Sequence, residues 1–169
     1  MSRTPCFYLE RYNQETKQYE FYHPLVWNFK HTEREPAELF PYNGNHEMFS
    51  IVEETSGSFP HMMGIHYKLP EDSCPEIKAE VESFTMEEFE LTPNVRWFTY
   101  ADMLIYLLKH PTVKNWDYDP HSADPEERLL TKDNPLTALK DRVDAFMEVM
   151  DGWNWQEDYS LIRIVYWID

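Results

Sequence analysis

The closing segment, Tyr159-Ser-Leu-Ile-Arg-Ile-Val-Tyr-Trp-Ile168, constrains the fold more than any other part of the chain. It reads as a strand whose two faces are both apolar, interrupted by Arg163, its one charge. Alternate residues of a strand point to opposite faces. A strand apolar on both faces is therefore one that is covered on both sides, which calls for a sheet with helices packed on it.

The rest of the chain supplies both. Phe7 to Tyr12 and Gln18 to Trp27 are aromatic-rich and flank the polar stretch 13–17, the pattern of an N-terminal β-hairpin. Pro24 places an end, a bulge or an edge in its second strand. Lys30 to Pro41 is polar and irregular. Asn45 is placed to cap a short helix carrying Met48, Phe49 and Val52. Thr55 to Leu69, with Gly57, Pro60 and Gly64, reads as a loop. Ser73-Cys74-Pro75-Glu76 has the form of a capping box opening a helix to about Phe84, with Ile77, Val81 and Phe84 inward. Val95 to Phe98 is a candidate short strand. Thr99, with Asp102 three residues on, caps a helix that is apolar nearly all round from Met103 to Leu108, and Pro111 ends it. Asn115 to Asp133 is a polar loop and the one candidate hinge. Asn134 and Pro135 open, and Gly152 closes, the clearest helix, with Leu136, Leu139, Val143, Phe146, Met147 and Met150 inward. The expected fold is α+β: one compact domain over 1–169, a small, mostly antiparallel sheet and about four helices. A chain of 169 residues fits one domain of roughly 100–200 residues.

Composition narrows the function. With 15 Lys and Arg against 31 Asp and Glu the formal charge is −16. This excludes a basic nucleic-acid reader, whose phosphate contacts need clustered cations, and disfavours attachment to anionic lipid. Aromatic content of 16% is too high for a disordered acidic tail. Two cysteines, Cys6 and Cys74, are too few for a secreted disulfide scaffold. The first residues lack the apolar core of a signal peptide, and the longest apolar run, Met103 to Leu108, falls far short of the ~20 residues of a membrane span. The expectation is a soluble, cytoplasmic protein. Only four glycines are present, so glycine-rich phosphate loops are absent.

No stretch carries a complete catalytic or metal-binding pattern. Asp117-x-Asp119-x-His121-x-x-Asp124 opens like a calcium loop, but Ser122 and Arg128 stand where Gly and Glu are required. His61 and His66 are five apart, not at the helical spacing of a zinc pair, and with His46 read as loop histidines. Cys74 sits at a helix start, yet Glu71, Asp72 and Glu76 oppose a thiolate there, so it reads as a structural residue. Arg163 reads as paired with a carboxylate or projecting from an edge. No cofactor and no catalytic residue is expected.

The order of short motifs resembles a group of small bacteriophage and prophage proteins. Their aromatic strand ending in Glu is matched by Phe7-Tyr8-Leu9-Glu10-Arg11, and their Leu-Pro-Glu-Asp-x-Ser-Pro-Glu segment by Leu69-Pro70-Glu71-Asp72-Ser73-Cys74-Pro75-Glu76. Gly44-Asn45-His46-Glu47-Met48-Phe49-Ser50 is similar to a further helix start, Arg96-Trp97-Phe98-Thr99-Tyr100-Ala101-Asp102-Met103-Leu104 to a second, and Arg163-Ile164-Val165-Tyr166-Trp167-Ile168-Asp169 to the closing strand. The family's early Asp and His and its Asp-Gly-His-Ser motif have no counterpart here: Thr4 to Phe7 and Pro93 to Arg96 stand in those places. The resemblance implies a phage or mobile-element origin and no activity.

Acid distribution is the strongest functional signal. Residues 71–90 hold Glu71, Asp72, Glu76, Glu80, Glu82, Glu87, Glu88 and Glu90 against Lys78 alone. Glu76 and Glu80 are four apart and share a helix face. Such a face keeps a small domain soluble or occupies the basic cleft of a nucleic-acid-binding protein. In the second case Glu71, Asp72, Glu76, Glu80, Glu87, Glu88 and Glu90 form the partner-binding patch, with Trp153 and Trp155 as aromatic anchors. The expected function is then an acidic, phage-encoded inhibitor of a basic host nucleic-acid or defence protein, of the anti-CRISPR kind. A nucleotide-sequestering protein using Arg96 and Arg163, and a metal-dependent hydrolase, are the alternatives.

Overall fold

The computed structural model describes residues 5–24, 46–54, 59–83, 94–114, 121, 131–151 and 158–168. The fold is α+β, with a five-stranded antiparallel sheet, a two-stranded sheet and four α-helices among the described residues. Residue contacts gather the chain into two compact units, and each is described by itself.

The first unit holds the larger sheet. Strands β1 (Pro5–Asn13) and β2 (Gln18–Pro24) form the expected hairpin, and Pro24 ends its second strand. A register shift falls between Leu9 and Glu10. The turn is held by Asn13, whose side-chain Oδ1 accepts from the backbone N–H groups of Glu15 and Thr16 while Lys17 takes a positive φ of 56°. The closing strand is β7 (Ile162–Ile168), with β1 on one side and β4 (Arg96–Thr99) on the other; β3 (His66–Tyr67) continues the sheet beyond β4. The strand with two apolar faces is thus the middle of five, and Ile162, Ile164, Val165, Tyr166 and Trp167 are all buried. One face carries Tyr166 with Phe7 and Phe98 in ring contact on either side of it in the sheet. The other stacks Tyr8 on Trp167 at 4.9 Å and packs against Ile77 of α2 (Pro75–Ser83).

Two sequence expectations are corrected here. Tyr159–Leu161 is a short 3-10 turn, not strand, because Asp158 caps it by accepting from Ser160 N–H at 2.9 Å. His66–Tyr67, placed in a loop by its glycine and proline neighbours, is a strand of two residues, a length that shows no alternation to read.

The second unit contains α1 (His46–Glu53), β5 (Thr112–Lys114), β6 (Thr131–Asp133) and α4 (Thr137–Asp151). Helix α3 (Tyr100–Lys109) starts in the first unit and continues into the second. Of the six residues expected to face inward here, Leu136, Leu139, Val143, Phe146 and Met147 are buried, and the Met150 side chain lies outside those described. Asn134 holds the entry, accepting from Leu136 N–H at 3.0 Å and donating through Nδ2 to the carbonyl of His110 at 2.9 Å. One buried amide therefore caps the start of α4 and the end of α3 together. Two further expectations are corrected. Residues 131–133, read as polar loop, pair with β5. Helix α3 is not buried all round: Tyr100, Met103 and Tyr106 face inward, but Ile105 is 51% and Leu108 82% exposed. The 3.6-residue period carries those two away from the buried stripe, whatever their hydropathy.

Candidate functional site

Helix α2 presents acidic residues to solvent, and a buried arginine, Arg163, is tied to Asp72 in the turn before it. The helix does not begin by the local capping box. Ser73 turns its hydroxyl instead to Glu10 of β1, donating to Oε2 at 2.8 Å, and the N–H of Cys74 donates to the same oxygen at 2.9 Å. The carbonyl of Cys74 accepts the first helical bond, from Lys78 N–H. A carboxylate 64 residues away in sequence thus replaces the local cap, and its negative charge suits the positive end of the helix dipole.

Glu10 is fully buried and needs a counter-charge. Strand register supplies it, because Glu10 stands directly opposite Arg163 on the neighbouring strand. Arg163 Nη2 lies 2.5 Å from Glu10 Oε1, a contact of charge rather than an aligned hydrogen bond. Arg163 Nη1 donates to Asp72 Oδ1 at 2.9 Å. The guanidinium plane is covered by rings: its Cζ is 3.3 Å from the centroid of Tyr19 and 5.2 Å from that of Trp97. This is the arrangement a planar, weakly hydrated cation favours. Arg163 is 4% exposed, Glu10 is 0% and Asp72 is 66%. Asp72 is therefore the one member of the triad that also belongs to the surface.

Burial pushes the Tyr19 phenol above its ordinary value against the pull of Arg163, with Asp72, Glu10 and Tyr12 adding to the rise. Burial likewise pushes the Cys74 thiol up to about 12, reinforced by Glu10 and Glu76 and opposed by a hydrogen bond from the Ile77 backbone. The thiol is buried and protonated at neutral pH, which fits the structural role expected of it and not a nucleophile's.

Four of the expected patch residues are brought together. Glu71 and Asp72 lie in the turn before α2, and Glu76 and Glu80 follow on the helix; all four are exposed. Ile77 and Val81 face the sheet, and Glu76 and Glu80, one residue before each, flank that stripe along its exposed edge. Lys78 is the base among them, and its Nζ donates to the backbone carbonyl of Glu71, not to a carboxylate. Glu80 accepts from the Tyr8 hydroxyl at 3.3 Å, while Asp72 is engaged by Arg163. Glu87, Glu88, Glu90, Trp153 and Trp155 lie outside the described residues, as do the calcium-like residues Asp117, Asp119 and Asp124. His61 and His66 are exposed, and His66 lies flat on Trp97 with ring centroids 4.1 Å apart. Among the described residues no group of three His, Cys, Asp or Glu could hold a metal ion, and no helix is long and apolar enough to cross a membrane.

Glu10 and Tyr19 were not singled out from sequence. One signal pointed to the first. Glu10 is the one acid in an otherwise aromatic and apolar strand start, and Arg163 is the one charge within the closing strand. Two lone opposite charges in two apolar strands are candidates for a cross-strand pair. Compared with protein-family models, curated proteins and solved structures, the chain matches none.

Proposed function

We propose that this protein binds a basic partner through the exposed acidic face of α2, and that the partner is a nucleic-acid-binding or defence protein of a host cell. Carboxylates there stand in for phosphates. The observation that carries this reading is the joint exposure of Glu71, Asp72, Glu76 and Glu80 on one helix and the turn before it. The helix under them is held rigidly: Glu10 pins its first turn and Ile77 and Val81 pack on the sheet. Fixed charges on a rigid element speed encounter with an oppositely charged surface and set its orientation. The resemblance to phage proteins supports a host target over a partner of the protein's own cell. The nucleotide-sequestering alternative is weakened, since it drew on Arg163 as an anion ligand and that side chain is engaged by two carboxylates.

Host proteins captured on the immobilised chain provide the test. A basic nucleic-acid enzyme is the expected main partner. The Glu76→Lys/Glu80→Lys variant should weaken its binding at least tenfold, ~1.4 kcal/mol, mainly through a slower association rate. Unchanged affinity in that variant, with no salt dependence, removes the reading.

A further inference from the structure

The sheet beside α2 holds its own guanidinium groups against aromatic rings. Among the described residues Arg11, Arg96 and Arg163 each lie over an aromatic ring: Arg11 over Tyr22 at 5.8 Å, Arg96 over Tyr67 at 5.2 Å and Arg163 over Tyr19 at 3.3 Å. Arg163 adds the second ingredient, a carboxylate at the guanidinium edge. Around it the sheet leaves a row of rings only part-buried. Tyr12 meets Tyr19 edge-on at 5.2 Å, Trp97 lies on the other side of Arg163, and the exposed His66 is stacked on Trp97. Four of the five strands contribute a ring to this row, and the two-thirds-exposed Asp72 borders it.

We infer that this row, Tyr12, Tyr19, Trp97 and His66 beside Asp72, receives arginine side chains of the basic partner, so that the partner is arginine-rich where it docks. The inference rests on the proposed binding through the acidic face and names the chemistry of the occupant. Charge complementarity selects a cation, given a chain of −16 and the carboxylates of Glu71 and Asp72 at the start of α2. Flat rings select a guanidinium over an ammonium. A guanidinium stacks on a ring face while its edge N–H groups reach a carboxylate, whereas a lysine ammonium is a compact, strongly hydrated point charge.

Binding of nona-arginine and nona-lysine peptides to the full chain at 150 mM salt tests this. Nona-arginine should bind at least tenfold more tightly. His66→Ala combined with Tyr12→Leu changes the row without touching the buried pair, and it should narrow the preference to less than threefold while leaving nona-lysine affinity unchanged. Glu76→Lys/Glu80→Lys should weaken both peptides alike. Equal affinity of the two peptides for the parent, or a preference that survives the row variant, overturns the inference. Equal affinities that fall together on charge reversal overturn it while the acidic-face reading stands. A preference lost with the row but indifferent to charge reversal does the opposite. Absence of binding by either peptide overturns both.

Discussion

Arg163 is a charge in the middle of a strand that otherwise defines the core, and its neighbours make that tolerable. Removing one partner of a buried pair leaves the other uncompensated, which typically costs about 3–5 kcal/mol, whereas replacing both by apolar groups is often near neutral. Arg163→Met should therefore lose stability in that range in a urea titration. Glu10→Leu should do likewise, with an added loss because Ser73 Oγ and Cys74 N–H forfeit their acceptor. The double variant should recover a large part of the sum, and strictly additive losses would show that the two charges are not coupled. Cys74 makes a second prediction, in the alkaline range. Its thiol ionises near 9 when free and near 12 when folded, so between those values the unfolded chain has released a proton that the folded chain retains. Stability from this group is therefore complete below about pH 9 and declines as pH rises toward 12. Chemical denaturation from pH 8 to 11 should show a steeper decline for the parent than for Cys74→Ala. Parallel curves would mean that the thiol is not the titrating group.

Element ends separate what the sequence reveals from what it hides. The box at α3 is local and was legible: Thr99 Oγ1 accepts from Asp102 N–H at 3.1 Å, and Asp102 Oδ2 accepts from Thr99 N–H at 3.1 Å and from its hydroxyl at 2.7 Å. Asp102 also explains Gly64. A Cβ built on Gly64 lies 2.7 Å from the Asp102 carboxyl carbon, and φ is +92°. Thr99→Ala should cost about 1 kcal/mol as a lost cap. Gly64→Ala should cost more than the roughly 1 kcal/mol of the positive φ, because the Asp102 carboxylate must also move. Melting of the two single variants and the double checks this, and a less-than-additive double places both effects on Asp102. The same residue pattern at Ser73-Cys74-Pro75-Glu76 misled, because a buried carboxylate from another strand took the cap. Local pattern shows which groups can cap a helix, and tertiary contact decides which group does. Strands of two or three residues, β3, β5 and β6, are too short for alternation to register. Apolar content placed all of Met103–Leu108 in the core, yet only the period distinguishes Met103 from Leu108. The acidic half of the candidate site was legible because charges four apart on a helix share a face. Its buried half was legible only in part: Arg163 reads as paired, but Glu10, which pairs with it, lies in a separate segment that only the strand register brings opposite.

At the scale of the whole molecule, the excess of acids has two consequences that salt should separate. Self-repulsion of a chain at −16 opposes compaction. Surface pairs such as Lys132 with Glu47 at 2.6 Å and Lys140 with Asp144 at 2.5 Å, each partly exposed, oppose it only weakly. Pairs of this kind contribute about 0.2–1 kcal/mol and are themselves screened by salt. The Arg163 pair is buried and is screened much less. Raising sodium chloride from 50 to 300 mM shortens the screening length from above to below ~10 Å, so repulsion within an excess of 31 acids over 15 bases should fall by more than attraction within surface pairs. The midpoint of thermal unfolding should then rise by about 2–3 °C, the shift that ~1 kcal/mol gives a domain of this size. Over the same range, binding to a basic partner should weaken, because the screened field is the one that steers association. Stability rising while affinity falls is the signature of an acidic surface that folding tolerates and binding uses. A midpoint that drops as salt is added would show instead that surface ion pairs dominate the electrostatics of the fold, and that the carboxylates of α2 are balanced by cations already within the chain.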